Sequence, residues 1–338
     1  MATFKVKFEP SNIELPCDGD MTLLDVALAS GYFPKHSCRR GECRACETRI
    51  VSGDIQYADG FAPDDLKPRH CLTCKALPRS NVVLDAPEVS SVAGRPIVKT
   101  GVRVMEVDRV SGDVTVLRLQ APAAGGFSFA PGQYMDVVLR DGARRSYSMA
   151  NAPTDDGQIE WHIRAMAGGR FSQHVYQNLK PRDLLRVEGP FGSFTLRNTQ
   201  APVILLASGT GYAPISSIIR THSADLAARG ATLYWGGRRA EDLYAAEEAR
   251  NWASLSPNFR FVPVVSEPDA SWRGRTGFVH EVVQEDHPDL SMFEVYACGN
   301  PLMIDAARHA FRTECGLRES SFFSDAFVTA VDHQPNEE

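Results

Sequence analysis

No stretch of this 338-residue chain approaches the ~20 consecutive apolar residues that a membrane-spanning helix needs. The opening MATFKVKFEP alternates like a strand and lacks the apolar core of a secretory signal, roughly 7–15 residues long. Neither a membrane span nor export is therefore expected, and the cytoplasm is. Charge of one sign is not in excess either: 36 Lys and Arg stand against 42 Asp and Glu, a net −6 that gives no reason to expect nucleic acid. Without an export signal, the eight cysteines read as thiols of a reducing compartment rather than a disulfide framework. The 43% hydrophobic content suffices for cores, and the length suggests two or three domains of about 100–200 residues each.

Cys38, Cys43 and Cys46 stand at C-x4-C-x2-C spacing, with Cys71 and Cys74 further on. This is the ligand pattern of a plant-type 2Fe-2S cluster, in which one short loop supplies three of four thiolates. Gly41 sits in that loop, HSCRRGECRAC, where the backbone must bend tightly and turn amides toward the sulfides. The pair Cys71-x2-Cys74 also leaves the arithmetic of a zinc site open. The stretch RHCLTCKALPRSNVVLDAP resembles the close of plant-type ferredoxin domains, a register that implies Cys74 as fourth ligand and leaves Cys71 a free thiol. Lys35, Arg39, Arg40 and Arg44 surround the loop, a basic rim able to steer an acidic partner or simply a solvated surface.

Phe4–Phe8 and Asn12–Leu15 read as a hairpin, Thr22 as the cap of a helix running to Ala29, and Glu47–Ile55 and Val82–Leu84 as strands. The segment APEVSSVAGRP, residues 86–96, has no periodicity and marks a boundary. From Val98 to about Arg197 short β segments separated by Gly and Asp turns suggest a small closed barrel. Two of its segments carry chemistry. Arg145-Ser146-Tyr147-Ser148 follows a strand, offering a cation for a pyrophosphate, an aromatic face and a hydroxyl, though an edge strand with surface polar residues would read the same. The run from Gly168 through Gly169, Arg170 and Ser172 is a glycine turn opening a helix, whose free amides favour a phosphate.

From about Pro202, strands and helices alternate as in a parallel α/β domain. PVILLASGTGYAPISSII reads as strand, Gly-x-Gly turn and helix, with Gly209 and Gly211 letting backbone approach a diphosphate. Pro214 replaces the third glycine of the dinucleotide fingerprint, so a plain tight turn remains an equal reading. Cys298-Gly299 ends a later strand and places a small polarizable side chain in the crevice expected there.

In this order, RSYS, GGRFS, ASGTGYAP, GGRRAEDLY, YACGNP and SDAF closely resemble the NAD(P)H-dependent ferredoxin-reductase flavoproteins that carry an N-terminal plant-type ferredoxin domain. These are the reductase components of bacterial aromatic-ring-hydroxylating dioxygenases and multicomponent monooxygenases, and the similar CDP-6-deoxy-glucoseen reductases. The resemblance implies a multidomain chain: a β-grasp (α+β) ferredoxin domain over residues 1–90, an antiparallel β-barrel flavin domain over 97–199 and an α/β parallel-sheet nicotinamide-nucleotide domain over 200–328. Residues 329–338 form a polar tail expected to be disordered.

It implies FAD held by Arg145, Tyr147 and Ser148, with Ser148 near the flavin N5, and by Gly168, Gly169, Arg170 and Ser172 at the diphosphate. Gly209, Thr210, Gly211 and Pro214 would line the nicotinamide-dinucleotide path, Cys298 and Gly299 would sit against the nicotinamide, and Phe327 would cover the flavin and have to yield. Hydride would pass from NADH to the flavin, and single electrons through the cluster to an oxygenase component or intermediary ferredoxin docked transiently near it, as in the catabolism of aromatic hydrocarbons.

Some positions stand apart. Relatives often carry Gly where Arg44 stands. Arg238 and Arg239 could hold the 2′-phosphate of NADPH, but the run ending in Asp242-Leu243-Tyr244 more often accompanies NADH, which is the expected donor. His36, His70 and His162 read as packing or hydrogen-bonding residues rather than metal ligands, with His162 also placed among the cofactor-binding positions. A reductase feeding a PMP-dependent deoxysugar dehydratase is an alternative, and a redox sensor without steady turnover a second one, against which an intact hydride site argues.

Overall fold

The computed structural model describes residues 2–58, 60–87, 89–91, 96–122 and 127–327. The expected tail lies outside the described residues, as do parts of the expected boundary at 86–96. The chain divides into two units. The first comprises Met1–Ile97 with Pro190–Ser193; the second comprises Val98–Gly189 and Phe194–Phe327.

In the first unit, β1 (Thr3–Glu9), β2 (Ile13–Asp18), α1 (Leu23–Ala29), β3 (Tyr32–Pro34), β4 (Glu47–Ser52), β5 (Ile55–Tyr57), β6 (His70–Leu72), β7 (Ala76–Pro78), β8 (Val82–Asp85) and β9 (Val89–Ser91) follow in order. The main sheet runs β2-β1-β8-β4-β6, with β1 parallel to β8. Alternation on β1 sends Val6 and Phe8 into a core that α1 closes with Leu23, Val26 and Ala27. Thr22 caps α1, its hydroxyl accepting from the Asp25 amide at 3.0 Å.

Two expectations need correction here. The single strand foreseen over Glu47–Ile55 is broken at Gly53, whose φ of 95° and close approach to the Asn81 carbonyl exclude a side chain. The break lets the chain change partner, from β8 for β4 to β7 for β5. Part of the foreseen structureless boundary is strand β9, which pairs antiparallel with β3.

The second unit opens with β10 (Val98–Arg109), β11 (Val114–Gln120), β12 (Tyr134–Val138), β13 (Arg144–Ser148), β14 (Gln158–Arg164), α2 (Arg170–Gln177) and β15 (Leu184–Phe191). Their antiparallel order is β13-β12-β15-β10-β11-β14. The two end strands meet through the Met149–Trp161 bridge and the Ala150 amide, which donates to Glu160 O at 2.8 Å, so the sheet curls into a barrel. The Arg145–Ser148 tetrapeptide, expected to follow a strand, is itself the edge strand β13.

β16 (Val203–Ser208), α3 (Tyr212–Arg229), β17 (Ala231–Gly237), α4 (Ala246–Leu255), β18 (Phe259–Val265), β19 (Arg275–Thr276), α5 (Val279–Asp286), β20 (Glu294–Gly299), α6 (Pro301–Thr313) and β21 (Phe322–Ala326) complete the unit. The sheet order β19-β18-β17-β16-β20-β21 is parallel throughout. The chain moves outward from β16 on one side and returns to β20 on the other. The carboxyl ends of β16 and β20 therefore form the switch point at which such sheets hold ligands. Among the described residues no helix is long and apolar enough to cross a membrane.

Barrel and parallel sheet belong to one unit because β14 presents two chemically different faces. Ile159, Trp161 and Ile163 fill the barrel core. Glu160, His162 and Arg164 point the other way, and each bonds a residue of the α/β half. Arg220 donates to Glu160 at 2.8 Å, His162 Nδ1 lies 2.8 Å from the Tyr244 hydroxyl, and Arg164 donates to Asp242 at 3.0 Å. Burial opposes ionisation of Glu160, but its His162 hydrogen bond and the Arg220 charge prevail and hold its carboxyl down to about 2. A second buried pair sits beneath the sheet, where the fully enclosed Arg229 guanidinium donates to Glu294 at 2.7 Å and to the Arg197 and Ala201 carbonyls.

Removing one partner of such a buried pair strands the other. Arg229→Ala is expected to destabilise the protein by about 3–5 kcal/mol, checked by urea unfolding. Because the folded carboxyl of Glu160 titrates below its ordinary 4.5, the stabilisation it brings is complete above pH 4.5 and is lost as pH falls toward 2. That amounts to roughly 3 kcal/mol. Glu160→Gln should flatten stability-against-pH in that window while leaving its alkaline limb unchanged.

Candidate functional site

The loop from His36 to Cys46 takes three left-handed residues to bend: Arg39 (φ 57°), Gly41 (φ 88°) and Arg44 (φ 56°). At Gly41 a Cβ would strike the Phe61 ring at 2.6 Å. Arg44 adopts a backbone conformation that suits glycine, and its side chain is engaged: it donates to Glu47 at 3.1 Å and to Asp65 O at 2.6 Å. The bend gathers the thiols into two pairs. The amides of Cys38 and Cys43 each donate to the other's sulfur at 3.4 Å, and the Cys46 and Cys74 sulfurs lie 3.3 Å apart. The hydrogen bond from Cys43 draws Cys38 down to about 5, and that from Cys74 lowers Cys46.

Among the described residues no three His, Cys, Asp or Glu side chains converge as a single ion requires. Two thiol pairs suit two irons, so this arrangement fits a 2Fe-2S cluster better than zinc. Cys71 instead turns into the core beside Phe8 and Leu84, where burial pushes its thiol up to about 12. The expected basic rim is largely spent within the chain: Arg40 pairs with Glu42 at 3.0 Å, Arg44 with Glu47, and Arg39 lies over the Phe191 ring. His36 and His70 hold backbone, Nδ1 lying 2.6 Å from Pro34 O and 2.9 Å from Pro68 O. His36 Nε2 also accepts from the Gly192 amide at 2.9 Å.

On the barrel, Arg145 and Tyr147 share a face of β13, and the Tyr147 ring rests between Trp161 and Phe171, 5.5 Å from each. Ser148 is buried at the carboxyl end of the same strand. Gly168 (φ 71°) and Gly169 form the turn into α2, whose first-turn amides lack helical acceptors. The hydroxyl of Ser172 closes that turn, accepting from the Met166 amide and donating to Gly169 O, both at 3.1 Å. Arg170 reaches Asp141 at 2.6 Å. A buried hydroxyl, an aromatic face and a helix start without a side-chain cap fit the ring and diphosphate of FAD. His162 has both ring nitrogens occupied, by Tyr244 and Glu160, which makes it a residue of the seam rather than of a cofactor surface.

Gly209, Thr210 and Gly211 form a single 3-10 turn at the switch point. Gly211 has a packing reason beside the one expected: a Cβ there would run into the Cys298 carbonyl at the end of β20. Gly299 is likewise pressed on Ser208. Gly209 (φ 52°) faces the Arg164 guanidinium, where a Cβ would stand 3.1 Å from it. Pro214 is buried in the first turn of α3. Cys298 is fully enclosed rather than open to a crevice, and burial together with Asp325 holds its thiol protonated. Phe327 packs on the same cluster and its amide donates to Gly299 O at 2.8 Å.

Three contributors escaped the sequence reading. Trp235, stacked on Tyr212 at 4.0 Å, donates its indole to Gly209 O at 3.0 Å and fixes the turn. Asp242 accepts from the Arg238 and Arg239 amides at 2.8 and 3.0 Å while holding Arg164. That carboxylate shapes the loop on which Arg238 extends its largely exposed side chain. Arg164 itself reaches from the barrel to both. Only Asp242 carried a signal, as an acid shortly after two arginines at a strand end.

Three family models match in succession: a 2Fe-2S iron-sulfur cluster binding domain over residues 6–79, an oxidoreductase FAD-binding domain over 101–196 and an oxidoreductase NAD-binding domain over 205–309. The chain is 39% identical to the CDP-6-deoxy-L-threo-D-glycero-4-hexulose-3-dehydrase reductase of Yersinia pseudotuberculosis, across 96% of this chain and 99% of that protein. It is 31% identical to reductase component 2 of the terephthalate 1,2-dioxygenase of Comamonas sp, across 96% and 97%. The crystal structure of the Amycolatopsis cytochrome P450 reductase GcoB superposes with a TM-score of 0.82 at 30% identity, covering 97% of this chain and all of that one. With all three domains in this order and relatives matched over nearly their full length, the chain belongs to the iron–sulfur flavoprotein reductases, oxidoreductases that join a 2Fe-2S domain to FAD-binding and NAD-binding domains.

Proposed function

We propose that this protein takes electrons from NADH and delivers them through its cluster to a separate partner protein in the cytoplasm. The observation that carries the reading is the pairing of Cys38 with Cys43 and of Cys46 with Cys74, which suits a one-electron exit site. Cys38, Cys43, Cys46 and Cys74 would hold the cluster; Arg145, Tyr147, Ser148 and the Gly168–Ser172 turn would hold FAD. The Gly209–Gly211 turn, Gly299 and Phe327 would form the nicotinamide end, with Cys298 packed behind it and Arg238 near the adenosine ribose. When bound, FAD supplies the change from two-electron to one-electron transfer that links a nicotinamide to an iron–sulfur cluster. The chain's own part is placement. Ser148 offers a hydroxyl at the ring, Trp235 and Asp242 hold the nucleotide loops, and the enclosed Cys298–Phe327 cluster keeps water out.

Of the two partner classes, a deoxysugar dehydratase is favoured by the 39% identity with a dehydrase reductase, against 31% for a dioxygenase reductase component. An oxygenase component is the second reading. With Arg40 and Arg44 already paired to acids, docking near the cluster relies less on long-range charge than the basic sequence suggests.

Anaerobic titration with NADH is expected to bleach the flavin and raise a rhombic iron–sulfur EPR signal, and bleaching without that signal would remove the cluster from the path. Cys74→Ala, which leaves no ligand atom at that position, should abolish the signal and lower cytochrome c reduction by about tenfold or more. Supplying each partner class with electrons from this protein separates the two readings, and steady turnover with either disposes of a sensor. NADH should exceed NADPH in kcat/KM by about tenfold or more, one charge contact's worth of discrimination.

A further inference from the structure

α3 begins at Tyr212, directly after the Gly209–Gly211 turn, and kinks at His222 (φ −116°, ψ 24°). The half before the kink is enclosed on nearly every side, from Tyr212 through Ile219. Ser216 and Ser217 lie within it with no solvent exposure. A buried serine inside a helix ordinarily returns its hydroxyl to its own helix, to a carbonyl one turn back. Neither does so here. Ser216 donates to Ala150 O at 3.2 Å and Ser217 to Asn151 O at 2.7 Å. One turn on, Arg220 donates to the same Ala150 carbonyl at 3.2 Å while paired with Glu160. Three side chains of one helix face thus converge on two consecutive backbone carbonyls of the barrel.

Those carbonyls belong to the segment that leaves β13 immediately after Ser148. Its other polar groups are also spoken for: the Met149 amide donates to Gln133 O, and Asn151 Oδ1 accepts from the Glu160 amide at 2.9 Å. Packing alone would be served by alanine at 216 and 217, which favours a helix more and has no hydroxyl to satisfy. The hydroxyls do something that alanine cannot: they fix the register between the helix that starts at the nucleotide turn and the strand end that carries Ser148.

We propose that the first half of α3 is a positioning strut, in which Ser216, Ser217 and Arg220 set the placement of Ser148 relative to the Gly209–Gly211 turn and so the alignment of the two redox rings. The inference rests on the assignment of those two sites above. The serines are positioning residues and touch neither cofactor. A nucleotide that shifts the turn would move the strand end with it, since the helix is enclosed and its bonds to the segment are to backbone.

The test uses the full chain loaded with FAD and cluster. In Ser216→Ala/Ser217→Ala, single-turnover reduction of the flavin by saturating NADH should slow about 10–100-fold, as small misplacements of reacting groups do. Flavin stoichiometry, the cluster's EPR signal and the dissociation constant for NADH should stay near wild type. Amide exchange over residues 149–152 should rise in the same variant. Ser217→Thr, which keeps the hydroxyl, should restore rate and protection, a rescue that a purely packing role would not give. If the double variant does not fold, Ser217→Ala alone should show the same split between rate and binding. An unchanged rate in these variants, with Ser148→Ala slow, overturns the strut and leaves the site assignment standing. An unchanged rate in Ser148→Ala overturns the site assignment, and the strut's function with it.

Discussion

A carboxylate taken out of water has to be surrounded by donors, and Glu160 is where this protein meets that requirement. Its oxygens are shared among Arg220, His162 and Arg118, which come from α3, from β14 itself and from the neighbouring β11. Separating barrel from parallel sheet would take the Arg220 guanidinium from this buried carboxylate and leave it only His162 and Arg118 of the barrel. The seam therefore specifies a geometry as much as it adds stability. His162 and Arg164 extend it along the same strand face, and the relative placement of the two nucleotide-binding folds follows from one strand's alternation.

The glycines illustrate how similar motifs arise from different demands. Gly168 and Gly209 adopt left-handed backbone at the two turns that precede helices, a conformation open to glycine. Gly211 and Gly299 are needed for another reason, since a Cβ on Gly211 would strike the Cys298 carbonyl and one on Gly299 would strike Ser208.

Much of the fold was legible in the sequence because its signals are local. The cysteine spacing encodes a loop that has to wrap a cluster, and the alternation in β1 and β14 or the apolar run of β16 announces strands without reference to anything distant. The break at Gly53 was not legible, since its cause is the Asn81 carbonyl on another strand. Cys298 was read as facing a crevice because a strand end says nothing of what covers it. His162 was readable as a hydrogen-bonding residue but not as a member of a seam, whose other members lie far along the chain. Trp235 carries no signal of its own in the sequence. Its indole nitrogen matters only once Gly209 is brought within reach.

That tryptophan has a consequence of its own. Its ring stacks on Tyr212 and its nitrogen is tied to the carbonyl that opens the Gly209–Gly211 turn. Indole emission depends on what the nitrogen bonds and on which ring lies against it. Among the chain's four tryptophans, Trp235 is therefore the one whose emission would respond to the conformation of the Gly209–Gly211 turn.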